Sequence, residues 1–416
     1  MLQVNKGRTA GEILVVIVFY LLLFQNALEE IFNFAGYIDE LFALIGVFVV
    51  CLQTVSSGKL YIKRNNFRII LLLCIFTATG LLANVLFRYQ PIEAVLIDFY
   101  TNLKFFLSIL TGFVIFNGSK MRRESNVLLL HARFASVLLA AFVAVDYLFE
   151  IFPSPGSRYG LRVIQLFFFH PTYLAAAAAV LMTVLLIFYS AGNVKYIALD
   201  VLIMASTLRS KALVGAIVYI IILVFCVIYR KKLKAWHIVL IGLVVIIVAG
   251  EQILYYFVTL QGRAAREILG ATSLEIMRDY FPIGTGFGTF ASNIAVKYYT
   301  PVYSMYGIAN IHGLTVENSS FASDTFWPII FGQTGLIGTV CYVSVLALLL
   351  LRIIKLRKFD VRLYAGGLWI FAYLLISSMA ESAFCNPLSI PFAFLLGLLL
   401  VQEKQYKEKG LNHEEA

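Results

Sequence analysis

Charge is scarce in this 416-residue chain. Only 13% of its residues are Asp, Glu, Lys or Arg, whereas 61% are hydrophobic, and an ordinary soluble domain carries about 25% charged residues. The five cysteines show no CxxC spacing and no neighbouring histidine pair, so neither a metal site nor a disulfide framework is predicted, and we expect them to be buried as small apolar residues. These shortages exclude a soluble enzyme, a disordered chain and a disulfide scaffold.

Long apolar runs fill most of the sequence. A membrane-spanning helix needs about 17–25 mostly apolar residues, and runs of this kind recur along the whole chain. We predict an all-α, polytopic bundle of twelve spans, or eleven if the short run at 194–209 does not cross. The predicted spans are 12–29, 38–56, 68–87, 95–117, 126–150, 166–190, 194–209, 212–229, 235–257, 324–351, 363–381 and 387–402.

The basic residues predict the orientation of these spans. With a cytoplasmic N-terminus, most of the 33 Lys and Arg residues fall in cytoplasmic segments, as the positive-inside rule requires. Those segments are 6–8, 59–68, 120–123, 195, 230–234, 352–362 and 404–409. We therefore predict a multi-pass protein of the cytoplasmic membrane with both termini in the cytoplasm, and the net charge of +10 does not indicate binding to nucleic acid.

Four regions follow from this topology. Residues 1–257 hold the first nine predicted spans, residues 258–323 form one long extracytoplasmic loop, residues 324–402 hold the last three spans, and residues 403–416 form a cytoplasmic tail. Within the loop, residues 262–281 have apolar residues near helical spacing, which predicts an amphipathic helix on the outer interface. We expect Arg266 on this helix to point into water.

Glycines follow the amphipathic segment, from Gly284 to Gly288. A nucleotide-binding loop is excluded, because no strand precedes the glycines and no Lys-Ser/Thr pair ends the motif. We predict a tight turn instead, in which positive φ angles let the backbone approach a helix end or a ligand.

Basic residues on the outer side have no role in topology, so they indicate a binding site. Arginine binds phosphate in a bidentate manner, and the phosphates outside a cell include those of lipid-linked sugars. A belt of aromatic residues and snorkelling arginines at the interface is the alternative. Within the spans we expect Lys104 to pair with Asp98 or Glu381, and Arg133 to pair with Asp200.

Several short motifs follow one another within residues 165–345. They are His170-Pro171-Thr172-Tyr173, Ser206-Thr207-Leu208-Arg209-Ser210-Lys211-Ala212, Gly262-Arg263, Pro282-Ile283-Gly284-Thr285-Gly286-Phe287-Gly288, Ser323-Asp324-Thr325-Phe326-Trp327 and Gly332-Gln333-Thr334-Gly335-Leu336-Ile337-Gly338. In this order the motifs resemble the O-antigen polymerase and ligase superfamily of the Wzy and WaaL types, and the resemblance is closest to the Wzy-type polymerases of capsule and exopolysaccharide biosynthesis.

The resemblance implies a GT-C-like membrane glycosyltransferase that needs no metal and no cofactor. Its donor and acceptor would be undecaprenyl-pyrophosphate-linked oligosaccharides, with membrane lipids, a flippase and a chain-length regulator as further candidate partners. Arg263 matches the family's loop arginine and is expected to bind the pyrophosphate. Either Arg209 or Lys211 would supply the second cation at the departing phosphate.

The base that accepts the proton of the acceptor hydroxyl stays open. Asp324 stands where the ligase branch has a histidine, and it is equally a candidate helix N-cap. His312 and Glu317 are alternatives in the loop, and a histidine titrates near working pH.

His170 is expected to orient a helix start or to contact the substrate. The other candidate substrate contacts are Arg158, Arg162, Arg278, Tyr280 and, besides being an alternative base, Glu317. Arg278 lies about 22 Å from Arg263 along one helix, at about 1.5 Å per residue, so the two arginines cannot clasp one pyrophosphate. The sequence thus favours a polysaccharide polymerase, with an O-antigen-ligase-type transferase and a flippase or other transporter as alternatives.

Overall fold

The computed structural model describes residues 10–57, 64–119, 126–230 and 265–414. Helices dominate these residues, and the only strands among them are Ser157–Arg158 and Leu161–Arg162, which pair as a small antiparallel hairpin. The helices are α1 (Ala10–Leu23), α2 (Gln25–Glu29), α3 (Ile38–Ser57), α4 (Arg64–Phe87), α5 (Ile92–Gly118), α6 (Val127–Phe149), α7 (Pro171–Ile187), α8 (Val194–Ser206), α9 (Ser210–Ile222), α10 (Ala265–Asp279), α11 (Asn293–Lys297), α12 (Val302–Met305), α13 (Trp327–Leu356), α14 (Val361–Ser378) and α15 (Ile390–Glu414).

The prediction of an all-α membrane protein is confirmed. Within the described residues, eight helices are long and apolar enough to cross a membrane, and α1 and α7 are shorter apolar helices. Each predicted span overlaps one of the helices, except the span at 235–257, which lies outside the described residues. The count of twelve spans and the GT-C-like arrangement stay predictions.

Two helices form the centre of the bundle. Almost every side chain of α7 is buried, and 83% of the residues in the apolar window of α15 are buried. Helices α3, α4 and α6, by contrast, expose many large apolar side chains, among them Phe48, Leu82 and Phe134. An exposed apolar surface of this extent is what a lipid-facing helix presents.

The glycine turn lies inside the bundle, against an interruption in α13. Gly335 has φ 58° and ψ −157°, so the carbonyl groups of the preceding turn are free to accept bonds from outside the helix. The Thr285 amide donates to the Gly332 carbonyl at 3.0 Å, and the Gly286 amide donates to the Gln333 carbonyl at 2.8 Å. A Cβ atom on Gly284 would lie 2.6 Å from the Gly332 oxygen. The predicted tight turn is therefore confirmed, with positive φ at Gly284 and Gly286.

Side chains from α4, from α5 and from the segment between them hold the turn on its other side. The Asn84 side chain donates to the Phe287 carbonyl at 3.0 Å and accepts from the Phe287 amide at 2.8 Å. The Gly288 amide donates to the Asp98 carboxylate at 2.9 Å, and the side chain of Gln90 donates to the Gly288 carbonyl at 2.9 Å. Irregular backbone is stable at membrane depth only when its polar groups are satisfied by protein or water, and these contacts satisfy it.

Several expected contacts inside the bundle are wrong. Lys104 pairs with Asp39 and, at 3.0 Å, with Glu40, because the first turn of α3 packs beside α5 and supplies both carboxylates. Arg133 donates to the side-chain oxygen of Asn193 at 3.1 Å, whereas Asp200 accepts from Ser136 at 3.0 Å.

The cysteines divide between two environments. Cys226 and Cys341 are buried, and Cys385 is half-buried. Cys51 and Cys74 are exposed on α3 and α4, so the expectation that all five are buried is wrong. Both positions lie on helices that present apolar surface outward, where a small thiol is compatible with lipid.

Candidate functional site

A polar cavity of about 800 Å³ lies at one end of the bundle. Helix ends and turns that are far apart in sequence surround it, including the end of α2, the starts of α7, α9 and α10, and the segments that precede α13 and α15. Its ionisable lining residues are Glu29, Glu30, Arg158, His170, Arg209, Lys211, Arg266, Asp324 and Glu381. Apart from the histidine, acidic and cationic side chains are equal in number, so the cavity is polar without a large net charge.

Lys211 and Glu381 form the most buried ion pair of the cavity. Their side chains are 2.8 Å apart and each is 13% exposed. Lys211 lies in the first turn of α9, and Glu381 lies in the turn between α14 and α15. Removal of one member would leave the other charge poorly compensated, so the pair ties two separate turns together at the cavity wall.

Arg266 and Asp324 form a second pair, at 2.9 Å, that joins α10 to the approach to α13. Each side chain is about one third exposed. The expectation that Arg266 points only into water is wrong, since α10 packs against the bundle with this residue at the cavity edge. The capping role considered for Asp324 is also wrong, because α13 begins at Trp327 and its N-cap is Phe326, without a side-chain cap.

His170 caps α7 and faces the cavity. Its Nδ1 atom accepts a hydrogen bond from the Thr172 amide at 3.3 Å, and Pro171 occupies the first helical position, where no amide hydrogen is needed. The predicted orienting role at a helix start is therefore confirmed. Lost hydration, followed by the positive charges of Arg209 and Lys211, lowers the pKa of His170 to about 4, against a weaker opposite effect from Asp324.

Arg158 and Arg209 complete the cationic lining. Arg158 lies on the small hairpin after α6, and Arg209 lies directly before α9. Both residues line the same cavity as His170, Lys211 and Asp324. The structure thus brings together five of the predicted site residues from four separate segments of the chain.

Three predicted substrate contacts lie elsewhere. Arg162 donates to the Asp146 carboxylate at 3.1 Å and fixes the hairpin to the end of α6. Arg278 is 77% exposed and pairs with its neighbour Asp279 at 3.0 Å. The hydroxyl of Tyr280 contacts that of Tyr89 at 2.7 Å. None of these side chains lines the cavity.

The remaining candidate residues are His312, Glu317 and Arg263. His312 is exposed and its ring lies 6.0 Å from that of Phe321, whose side chain does line the cavity. Glu317 is exposed and is not a lining residue. Arg263 lies outside the described residues, so its expected contact with pyrophosphate stays a prediction.

Other lining residues were not identified as site residues from the sequence. Asn26, Glu29 and Glu30 come from α2 and its end, and Glu381 and Asn386 come from the turn before α15. The sequence signal for these residues was their position. Ionisable and amide side chains that directly follow an apolar span lie at the end of that span. Their proximity to Lys211 depends on how α1, α9 and α15 pack, which the pattern of each span does not encode.

The arrangement suits recognition and transfer of a polar, anionic group. Arginine and lysine side chains can stabilise phosphate oxygens, and the carboxylates can accept a hydrogen bond, or the proton itself, from a sugar hydroxyl. Among the described residues, no cluster of three or more His, Cys, Asp or Glu side chains could hold a metal ion. The volume lies within the range of about 300–1,000 Å³ typical of ligand sites.

Neither a protein-family model nor a curated protein matches the sequence. The family resemblance of residues 165–345 therefore stays a prediction.

Proposed function

We propose that the chain is a membrane glycosyltransferase of the polysaccharide polymerase class. It would transfer a glycan from an undecaprenyl-pyrophosphate carrier to a sugar hydroxyl of another lipid-linked repeat unit. The observation that supports this proposal is the polar cavity of about 800 Å³ at one end of an apolar bundle, with cationic and acidic side chains on its walls. Its position at a helix end suits a substrate with a polar head and a lipid tail.

The cations would act on the leaving group. Breaking the bond between sugar and diphosphate places negative charge on the departing oxygen, and fixed positive charges lower the energy of that state. Arg209 and Lys211 stand at the start of α9, where the backbone amides of the helix add a partial positive charge. Arg158 and Arg266 line the same space.

The acidic groups would act on the acceptor. Asp324 is held in place by Arg266 and is about 30% exposed, so one side of its carboxylate is open to the cavity. A positioned carboxylate can accept the proton of an attacking hydroxyl. His170, with a pKa of about 4, is neutral near pH 7, so in that form it neither repels a phosphate nor attracts one by charge.

The packing beneath the cavity favours a transferase over a transporter. The neighbouring gap, lined by residues such as Leu22, Phe168 and Val180, has a volume of only about 20 Å³. A transporter places its polar groups along a path near the middle of the membrane. Among the described residues, the polar side chains that line this cavity instead lie together at one end, as expected for chemistry on one membrane face.

Purified protein incubated with a lipid-pyrophosphate oligosaccharide and no nucleotide tests the proposal. We expect a ladder of products on a gel. Arg266→Gln should slow the ladder at least tenfold, because it removes one cavity cation and releases Asp324. Lys297→Gln is the matched control: it removes one exposed charge from the same end, where Lys297 contacts only the ring of Tyr298 among the described residues, and it should leave the rate unchanged.

Each other outcome has a defined meaning. Transfer only to a foreign acceptor would favour the ligase-type alternative, and movement of the intact lipid across vesicles without product would favour a transporter. A normal ladder from Arg266→Gln would refute the assignment of this cavity as the active site. For Arg263, the resemblance predicts that Arg263→Ala leaves single repeat units on the carrier and that Arg263→Lys recovers part of the activity.

A further inference from the structure

A second pocket, of about 520 Å³, lies at the opposite end of the bundle. The start of α6, the segment after α7 and the start of α14 surround it. Its lining residues include Arg133, Arg362, Asn126, Ser190, Tyr189 and Leu130. Two guanidinium groups and three uncharged polar side chains thus share one pocket, and no acidic residue of the described ranges lines it.

Arg133 is positioned by neutral partners. Its Nε atom donates to Asn193 at 3.1 Å, and its Nη2 atom lies 3.5 Å from the Ser190 hydroxyl. Among the described residues, no carboxylate lies within salt-bridge distance of it. The side chain is therefore oriented while no carboxylate of the described residues neutralises its charge, which is the arrangement a bound anion requires.

Arg362 contributes a second charge with a weak partner. Its Nη2 atom lies 3.3 Å from Asp360, and its Nη1 atom donates to the Tyr189 carbonyl at 3.3 Å. The arginine is 40% exposed. Both contacts of the guanidinium with Asp360, at 3.3 and 3.4 Å, are longer than a strong charge-assisted hydrogen bond, and the exposed part of the arginine leaves donors that an incoming phosphate can reach.

The pocket opens onto an apolar surface of α6. Leu130 lines the pocket and is 54% exposed, and Phe134, Val137 and Leu138 continue the surface with exposures of 60%, 47% and 38%. Residues three or four positions apart lie on one face of a helix, so these side chains form one stripe running away from the two arginines. A headgroup in the pocket would leave an acyl chain along this stripe.

We propose that this pocket binds the phosphate headgroup of an anionic phospholipid. The charge of Arg133, which no carboxylate of the described residues neutralises, and the adjoining lipid-facing stripe fit a phosphate attached to an acyl chain better than a free phosphate. Basic pockets between membrane helices bind anionic headgroups on the same physical basis. The bound lipid would join the ends of α6, α7 and α14, and the site is independent of the glycan cavity at the other end.

Native mass spectrometry of the delipidated full-length protein tests the site. Phosphatidylglycerol and phosphatidylcholine with identical acyl chains are the probes, and inorganic phosphate is added as competitor. We expect at least tenfold higher affinity for phosphatidylglycerol, no displacement by millimolar phosphate, and an affinity loss of at least fivefold in Arg133→Gln and in Arg362→Gln. Arg133→Lys should be intermediate, because it keeps the charge and loses the planar fork.

The control is Lys355→Gln, which removes one positive charge at the same end. Lys355 is exposed in the last turn of α13 and does not line the pocket, so its lipid affinity should stay within twofold of the wild type. Equal affinity for both lipids, or an equal loss in Lys355→Gln, would overturn the proposal. Displacement by phosphate would also overturn it in favour of a small-anion site. If Arg133→Gln does not fold by size-exclusion chromatography, Arg362→Gln alone decides the result.

Discussion

The two ends of the helical bundle carry charge in different ways. At the cavity end, cations meet carboxylates from distant turns, as Lys211 meets Glu381 and Arg266 meets Asp324. At the opposite end, Arg352 also pairs with a carboxylate of another helix, that of Glu403, and Arg357 donates to the Arg230 carbonyl at 3.3 Å, but neither of these arginines lines the pocket that Arg133 and Arg362 share.

This difference distinguishes charged residues that line a site from charged residues whose placement reflects only the side of the membrane on which they lie. The basic end agrees with the segments predicted to lie in the cytoplasm, where an excess of Lys and Arg has a topological cause. The other end holds cations that topology does not require, and each needs a partner or a ligand. Which end faces which side of the membrane stays a prediction.

The largest effect should come from the glycine turn inside the bundle. Gly284 has a φ of +74°, and an added Cβ atom would lie 2.6 Å from both the Gly332 oxygen and the Gly335 nitrogen. The Gly284→Ala variant therefore combines backbone strain with overpacking, each of which costs about 1–3 kcal/mol. We expect a loss of about 3 kcal/mol or more in the free energy of unfolding, measured by denaturant unfolding in detergent.

Gly270→Ala is the matched control for this substitution. Gly270 lies within α10, and an added Cβ atom would meet nothing within 4 Å. Alanine is favoured over glycine in a helix by about 1 kcal/mol, so this variant should be slightly more stable than the wild type. Equal stability of the two variants would mean that the turn is not packed against α13 as described.

Glu381 illustrates how far the sequence predicts the site. The length of each apolar run predicted the spans. A polar group buried in lipid costs free energy, so a segment that crosses the membrane must be a long, mostly apolar run. The same logic placed Arg209, Lys211 and Asp324 at the ends of spans on one side. It could not predict that Lys211 pairs with Glu381, because many turns lie on that side of the bundle. Only the packing of the helices decides which of these turns come into contact.

The glycine turn and Arg266 show the same limit at shorter range. Glycine spacing predicted positive φ angles and close backbone approach, which are local properties. That the turn fits the interruption at Gly335 depends on two segments about fifty residues apart and could not be read from either alone. Arg266 had polar neighbours that predicted a solvated face, and its tertiary contact with Asp324 replaced that local preference.

The second prediction removes a charge from the cavity wall. Lys211→Met leaves Glu381 without its cation, and loss of one partner of a buried pair costs about 3–5 kcal/mol. Because each side chain is 13% exposed, we expect the lower value, about 3 kcal/mol, by denaturant unfolding. At the other end, Arg352→Met should cost less than Lys211→Met, since Glu403 keeps a second cationic partner, Lys407.

The double variant Lys211→Met, Glu381→Gln separates structure from function. Removing both charges should restore most of the lost stability, because no uncompensated carboxylate remains. If Lys211 also contributes charge to a leaving diphosphate, the product ladder should remain at least tenfold slower despite the recovered stability. Recovery of both stability and rate would show that the pair is only structural.

The smallest effect concerns the protonation of His170. Its pKa of about 4 lies below the usual value of about 6.5 for an unfolded chain, so the unfolded state takes up the proton first as the pH falls. The folded protein should thus lose stability as the pH falls from about 6.5 to about 4, and little more from this group below that. NMR titration of labelled histidine, assigned with His170→Gln, measures the midpoint directly.

Two variants compare how charges at the two ends of the bundle affect the pKa of His170. Arg209→Gln should raise the pKa of His170, but only part of the way to 6.5, because lost hydration has the larger effect and the charge of Arg209 the smaller. Lys195→Gln removes a charge at the opposite end and should leave the midpoint unchanged. A wild-type midpoint near 6.5 would mean that water and ions fill the cavity freely, and the cations on its walls would then be too well screened to stabilise a departing phosphate strongly.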